Sequence, residues 1–284
     1  MVFVTNKYKM KKMKKIILGK GILGTAFGRI FPDAKIFSRE DLDISSEANL
    51  KNMIKREKPN LIINCAAFTK VDDAEDEKEL SRKTNADAVK YLAKLSKLHS
   101  IKLMHFSTDY IFDGENKKGY KESYSNFNPL NYYGKTKLEG EKNLKKYGEN
   151  FWLIRTSAVF GSGGKNFVSS VEKVGKEKKE LKIVADQFFS PTFSDDLARK
   201  CKKIIEEEIS FGIYHITNSG SCSWHELAKE IFKIKKINCK VSKISSEDFG
   251  AKAKRPKNSI LINTKLSPLR SWEEALNDFL LEKS

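Results

Sequence analysis

Tyr133 and Lys137 stand four residues apart in the run Tyr133-Gly134-Lys135-Thr136-Lys137, and Ser107-Thr108-Asp109-Tyr110 lies upstream of them. On a helix this spacing puts phenol and ammonium on one face, about 5–6 Å apart at Cβ, where the cation favours the phenolate. A tyrosine ordinarily ionises near pH 10, and each unit of depression takes roughly 1.4 kcal/mol of preferential stabilisation of the anion. A phenol tuned in this way trades protons near neutral pH, as hydride addition or removal at a carbonyl requires. In so lysine-rich a chain a packed tyrosine beside a solvated lysine gives the same spacing, so the weight of the pair comes from the segments around it.

Those segments begin with the apolar run 15–18, which ends in Gly19-Lys20-Gly21-Ile22-Leu23-Gly24 and passes into a helix-compatible stretch through Ile30. Strand, glycine turn and helix N-terminus in that order aim backbone N–H groups at a pyrophosphate. Gly19 permits the turn, Gly21 lets phosphates approach the main chain, and Gly24 lets the helix pack on the strand. Periodicity predicts further strands at 34–37, 61–65, 101–106 and 151–155, and helices at 47–58, 79–99 and 130–147. Beyond these, helices are predicted at 166–177 and 195–208 and strands at 181–184 and 213–216. Ser223 and Ser271 read as caps of helices at 224–232 and 272–281. The alternation predicts an α/β fold, a doubly wound, Rossmann-like parallel sheet whose ligand crevice lies outside the carboxyl ends of its strands. Gly19, Ala67, Thr108 and Thr156 all fall at strand ends, so distant parts of the chain converge on one crevice.

Ten ordered stretches carry a family resemblance: LDIS (42–45), NCAAFTKVDDAE (64–75), TNA (84–86), STDYIFDG (107–114), YYGKTKLEGE (132–141), RTS (155–157), DQFFSPT (186–192), YHITNSG (214–220), SWHELA (223–228) and RPKNS (255–259). With them the chain resembles the dTDP-4-dehydrorhamnose reductase family of the extended short-chain dehydrogenase/reductases. The resemblance implies reduction of a nucleotide-linked 4-keto-6-deoxy sugar at C4, with Tyr133 as proton donor. Lys137 would lower the pKa of Tyr133 and hold the nicotinamide ribose. Thr108 would hydrogen-bond the substrate carbonyl and the Tyr133 hydroxyl, and Asp109 would line the sugar pocket. Gly21, Ile22 and Leu23 would face the pyrophosphate, Asp43 and Ile44 the adenine side, and Ala67, Phe68 and Thr69 the inner half of the cofactor.

The resemblance also implies a discontinuous layout: a dinucleotide-binding domain at 14–160 with 186–218, and a nucleotide-sugar-binding lobe at 161–185 with 219–284. Arg255 is a candidate for the substrate diphosphate. Three positions depart from the family pattern. The glycine motif is one residue tighter than the usual GxxGxxG. Ala158 stands where the family usually has a sugar-stacking tryptophan, with Phe160 or Phe167 as replacements. DQFFSPT carries Phe189 and Ser190. At the end of the second strand Ser38 and Arg39 replace the acid that would select NAD. Arg39 can meet a 2′-phosphate, which favours NADPH, and NADH stays open, as does Arg39 being a solvated charge. An epimerase or dehydratase of the same superfamily, a non-catalytic nucleotide-binding regulatory subunit, and a homodimeric assembly also stay open.

Composition narrows the remaining classes. The chain has 284 residues and a net charge of +17, but its lysines are spread through nearly every segment and no nucleic-acid recognition module appears. No apolar run reaches the roughly 18 residues of a membrane span. The first fifteen residues carry six lysines and no acid and lack the apolar core of a signal peptide. Residues 1–13 therefore read as a disordered basic extension, with Met10 or Met13 as alternative starts. Cys65, Cys201, Cys222 and Cys239 lack paired spacing, and His99, His105, His215 and His225 form no ligand set. No metal is expected, and reduced thiols point to the cytoplasm.

Overall fold

The computed structural model describes residues 13–281; the predicted basic extension lies almost wholly outside them. In chain order the principal elements are β1 (Lys15–Leu18), α1 (Ile22–Ile30), β2 (Lys35–Phe37), α2 (Glu47–Glu57), β3 (Leu61–Asn64), α3 (Lys78–Arg82), α4 (Ala88–Leu98) and β4 (Lys102–Thr108). They continue as α5 (Tyr132–Tyr147), β5 (Phe151–Thr156), α6 (Phe167–Glu177), β6 (Glu180–Val184), α7 (Ser194–Glu206), β7 (Gly212–His215), α8 (Trp224–Lys235), β8 (Lys240–Ile244) and α9 (Trp272–Leu281).

Six strands form one sheet in the order β7-β5-β4-β3-β1-β2, and every pair is parallel. The α/β prediction holds, with the topological switch between β1 and β3. Ile16, Ile17 and Leu18 are fully buried because helices cover both faces, which explains apolar runs instead of alternating ones. On one face Ile16, Leu18, Ile62, Leu103 and Leu153 pack under Leu50, Ile54, Leu92 and Leu95 of α2 and α4. On the other, Ile17, Ile63, Met104 and Ile154 meet Phe27 of α1 and Leu197 and Ile204 of α7. A third apolar cluster joins Phe160, Val168, Phe189 and Phe193 to Leu227, Ile231, Leu276 and Phe279, which draws α6, α8 and α9 together. In this part β6 and β8 pair in parallel as a separate two-stranded sheet.

The single helix predicted at 79–99 is two helices joined by a wider, i→i+5 turn at Lys83–Asp87. Side-chain periodicity does not reveal such a turn, because the apolar face continues through it. α5 begins at Tyr132 instead of residue 130, since Asn131 caps it: the Asn131 Oδ1 accepts from the Gly134 N–H at 2.8 Å. Ser223 opens α8 through a capping box with Glu226, as its position predicted.

α5 is locked to the sheet by a forked ion pair. Arg155 of β5 donates from Nε and Nη2 to the two carboxylate oxygens of Glu141, at 2.9 and 2.8 Å, and both side chains are completely buried. Removing one partner strands a buried charge, so Glu141→Ala should cost about 3–5 kcal/mol in urea unfolding. The double variant Glu141→Leu with Arg155→Met should lose less than Glu141→Ala alone; an equal or greater loss would contradict this account of the pair.

Candidate active site

The carboxyl ends of β1, β3, β4 and β5 open into a cavity of about 1120 Å³. At its floor, Gly19 adopts φ +92°, and a Cβ there would come within 2.8 Å of the Ala66 nitrogen. Gly24 lets α1 close on this turn, since a Cβ on it would sit 1.8 Å from the Gly19 carbonyl oxygen. Gly21 caps α1, and a Cβ on it would meet no protein atom within 4 Å, so the helix N-terminus faces open space. That cradle fits a pyrophosphate, and the shortened glycine motif still builds it. Gly19, Gly21, Ile22 and Leu23 line the cavity; Gly24 lies behind them as a packing residue.

The same wall continues through Ser38, Arg39, Asp43 and Ile44, then Ala67, Phe68 and Thr69. Arg39 is exposed at the rim, while the acids beside it fold back: Ser38 donates from Oγ to Glu40 at 2.7 Å and from its backbone N–H to Asp41 at 2.9 Å. Asp43 accepts from the Ser45 hydroxyl, a bond that holds its carboxyl below the usual range. Asn85, quoted in the TNA run without a role, fixes this wall. Its Oδ1 accepts from the Phe68 N–H at 2.9 Å and its Nδ2 donates to the Phe68 carbonyl at 3.0 Å and to Thr136 of α5 at 3.1 Å. The wide turn between α3 and α4 carries Asn85 to that position. Lys20 also lines the cavity and was not anticipated.

Tyr133, Lys137, Thr108 and Asp109 converge where α5 crosses the end of β4. The approach is close because position 134 is glycine: a Cβ there would lie 2.2 Å from the Tyr110 carbonyl oxygen. Tyr110 and Tyr133 meet edge to face at 6.0 Å. Lys137 is buried and donates from Nζ to the Phe106 carbonyl at 2.6 Å. Burial pushes its ammonium down to about 8, opposed by the Glu141 carboxylate one turn further along α5. Burial, together with Lys137, also keeps His105 neutral behind it.

The expectation that Lys137 depresses the Tyr133 pKa is corrected here. Burial pushes the phenol up to about 12, partly opposed by a hydrogen bond with Thr108 and reinforced by the Asp109 carboxylate. The ammonium is turned to the Phe106 carbonyl, and desolvation decides the balance. Asp109 lines the same cavity and accepts from the Ser157, Ser259 and Thr108 hydroxyls.

Across the cavity Ala158 takes φ +42° at the end of β5, and no tryptophan stands there. The aromatic surface comes from elsewhere. Trp224 lies 4.6 Å from Phe167 and 4.0 Å from Phe189 by ring centroids, and all three line the cavity. Trp224 is anchored by its indole N–H to Gln187 at 3.1 Å. Phe160 also borders the cavity and stacks on Phe193 in the C-terminal core. Arg255 reaches the cavity and is no loose charge: its fork donates to Asp72 at 2.6 and 3.1 Å. Its neighbour Lys252 pairs with Asp76, so this basic loop is strapped to the acidic one.

The family model described as the RmlD substrate binding domain matches residues 13–284. The dTDP-4-dehydrorhamnose reductase of Aggregatibacter actinomycetemcomitans is 37% identical over 254 residues, 84% of this chain and 86% of that one. The chain belongs to the dTDP-4-dehydrorhamnose reductase family. Another relative, the dTDP-4-keto-6-deoxy-D-glucose reductase of Streptomyces niveus, is 30% identical over 92% of each chain. The crystal structure of dTDP-4-dehydrorhamnose reductase from Bacillus anthracis str. Ames in complex with NADP superimposes with a TM-score of 0.92 at 38% identity, covering 95% of this chain and 99% of that one.

Lys137 supplies a pH test. Its ammonium is present below the depressed pKa of about 8 and lost above it. In this family member kcat/KM, which follows the free enzyme, should therefore fall by about tenfold per unit as pH rises beyond about 8. A profile flat to about pH 10 would contradict a functional ammonium at that position.

Proposed function

We propose that this protein is an NADPH-dependent reductase of a dTDP-linked 4-keto-6-deoxy sugar, dTDP-4-dehydrorhamnose first among them, with NADH as an alternative reductant. The observation that carries this reading is the meeting of Tyr133, Lys137 and Thr108 at the end of β4, in one cavity with the glycine cradle. The dinucleotide, when bound, supplies the hydride. The chain supplies the proton: Tyr133, protonated at neutral pH, gives its hydrogen to the alkoxide formed at C4. Lys137 stabilises the phenolate left behind and holds the nicotinamide ribose. Thr108 orients the phenol, Arg39 takes the 2′-phosphate, and Gly21, Ile22 and Leu23 receive the pyrophosphate.

The sugar nucleotide occupies the side built from 161–185 and 219–284, with residues 14–160 and 186–218 forming the dinucleotide side. Phe167 and Trp224 of the sugar-nucleotide side, joined by Phe189 from 186–218, offer the stacking surface that Ala158 does not, and Arg255 meets the diphosphate. Four free cysteines suit a reducing compartment, so we place the enzyme in the cytoplasm.

Tyr133→Phe removes the proton and little else. Turnover of NADPH with dTDP-4-dehydrorhamnose should fall by about 10²–10⁴-fold, while NADPH affinity in a fluorescence titration stays unchanged. Substantial surviving turnover would remove the assignment. Because Arg39 is exposed, its charge is screened, and Arg39→Ala should shift the NADPH-to-NADH preference ratio by about fivefold. An unchanged ratio would discard the 2′-phosphate contact.

A further inference from the structure

Asp72, in the loop between β3 and α3, is the carboxylate on which the C-terminal loop of the cavity closes. Its two oxygens take Nη1 and Nη2 hydrogens of Arg255 at 3.1 and 2.6 Å, and its Oδ1 also accepts the Ala253 N–H at 2.9 Å. The start of α5 completes the seat. Asn131 donates from Nδ2 to the Lys254 carbonyl at 2.8 Å, and Glu75 of the acidic loop accepts the Tyr132 N–H at 2.8 Å. The acidic loop, the C-terminal loop and the N-terminus of the helix that carries Tyr133 therefore hold one another in pairs.

The donor count of Arg255 shows what this seat leaves open. A guanidinium carries its N–H groups in a fixed plane, one on Nε and a pair on each Nη. Both Nη1 hydrogens are spent, on Asp72 and on the Ala253 carbonyl at 2.9 Å, and one Nη2 hydrogen goes to Asp72. What remains is Nε–H with the second Nη2–H, the parallel pair along one edge that matches two oxygens of a phosphate group. Arg255 lines the cavity, where the Tyr110 phenol is its neighbour; Asp72 does not line it.

The Asp72 side chain is 43% exposed against 19% for Arg255, so the pair is screened as an electrostatic contact and its use lies in orientation. We propose that Asp72 is a positioning residue for the substrate: acting through Arg255, it presents the Nε–Nη2 edge to the diphosphate of the nucleotide sugar. The proposal rests on the reading that Arg255 meets that diphosphate. An arginine without this anchor carries more unpaired charge, but the ligand then has to order a long side chain, which costs about fivefold in affinity.

The test is inhibition of NADPH oxidation by dTDP and by thymidine, which lacks the diphosphate, in wild type, Asp72→Ala, Arg255→Ala and the double variant. Asp72→Ala should raise Ki for dTDP and KM for dTDP-4-dehydrorhamnose by about fivefold each. It should leave Ki for thymidine at its wild-type value and lower kcat by less than it raises KM. In the double variant Asp72→Ala should add nothing to the loss in Arg255→Ala, because one acts through the other. Unchanged or tighter dTDP binding in Asp72→Ala, with Arg255→Ala weakened, would overturn the proposal and leave the diphosphate contact standing. Equal losses for dTDP and thymidine in Asp72→Ala, or additive losses in the double variant, would also overturn it. Unchanged dTDP binding in Arg255→Ala would instead remove the underlying reading itself.

Discussion

A lysine ammonium 2% exposed dictates the geometry of this protein's chemical centre. Withdrawing such a charge from water costs several kcal/mol, and it persists only where the fold supplies acceptors and opposite charge. Lys137 finds both: the Phe106 carbonyl at 2.6 Å, and Glu141 one turn along α5. Glu141 is in turn fixed by Arg155 on β5. These contacts tie α5 to the ends of β4 and β5 at two levels, so Tyr133, one turn before Lys137, has to lie over the end of β4. Gly134 permits that closeness, and Thr108 and Asp109 sit beneath it because β4 ends there.

The resulting charge state suits reduction. A buried phenol beside a carboxylate keeps its proton, and the protonated form is the one that can donate to a new alkoxide. In the mechanism proposed above, the cation matters at the other end of the step, once the phenol has become an anion in a dry site. A phenol already ionised at rest would suit the reverse direction better. Asn85, which ties Phe68 to Thr136 of α5, contributes orientation more than charge.

Much of this was legible in the amino-acid order. Strand–glycine–helix punctuation and apolar runs gave all six strands of the main sheet within a residue or two, because helices on both faces force near-continuous burial. Motif positions at strand ends located the crevice, since parallel topology brings those ends together. What was not legible depends on three-dimensional partners. The phenol's resting pKa turns on desolvation, which spacing cannot report. The wide turn carrying Asn85 leaves the apolar stripe undisturbed. Ser157 and Ser259 were visible as letters in RTS and RPKNS, but their convergence on one carboxylate, 48 and 150 residues away in sequence, appears only on folding. The aromatic wall of Phe167, Phe189 and Trp224 is only partly visible in the sequence for the same reason: Phe167 stands out as a replacement for the missing tryptophan, whereas Trp224 reads as the start of a helix.

The account stands on hydride arriving at a sugar carbonyl held beside Tyr133. The most direct measurement is to supply NADPH carrying deuterium at the nicotinamide C4, with dTDP-4-dehydrorhamnose, and to locate the label by NMR. The account predicts deuterium on C4 of the product sugar, from one face of the nicotinamide only and with none released to solvent. Label retained on the cofactor, and C4 of the product unlabelled, whichever face of the nicotinamide carries the deuterium, would contradict it.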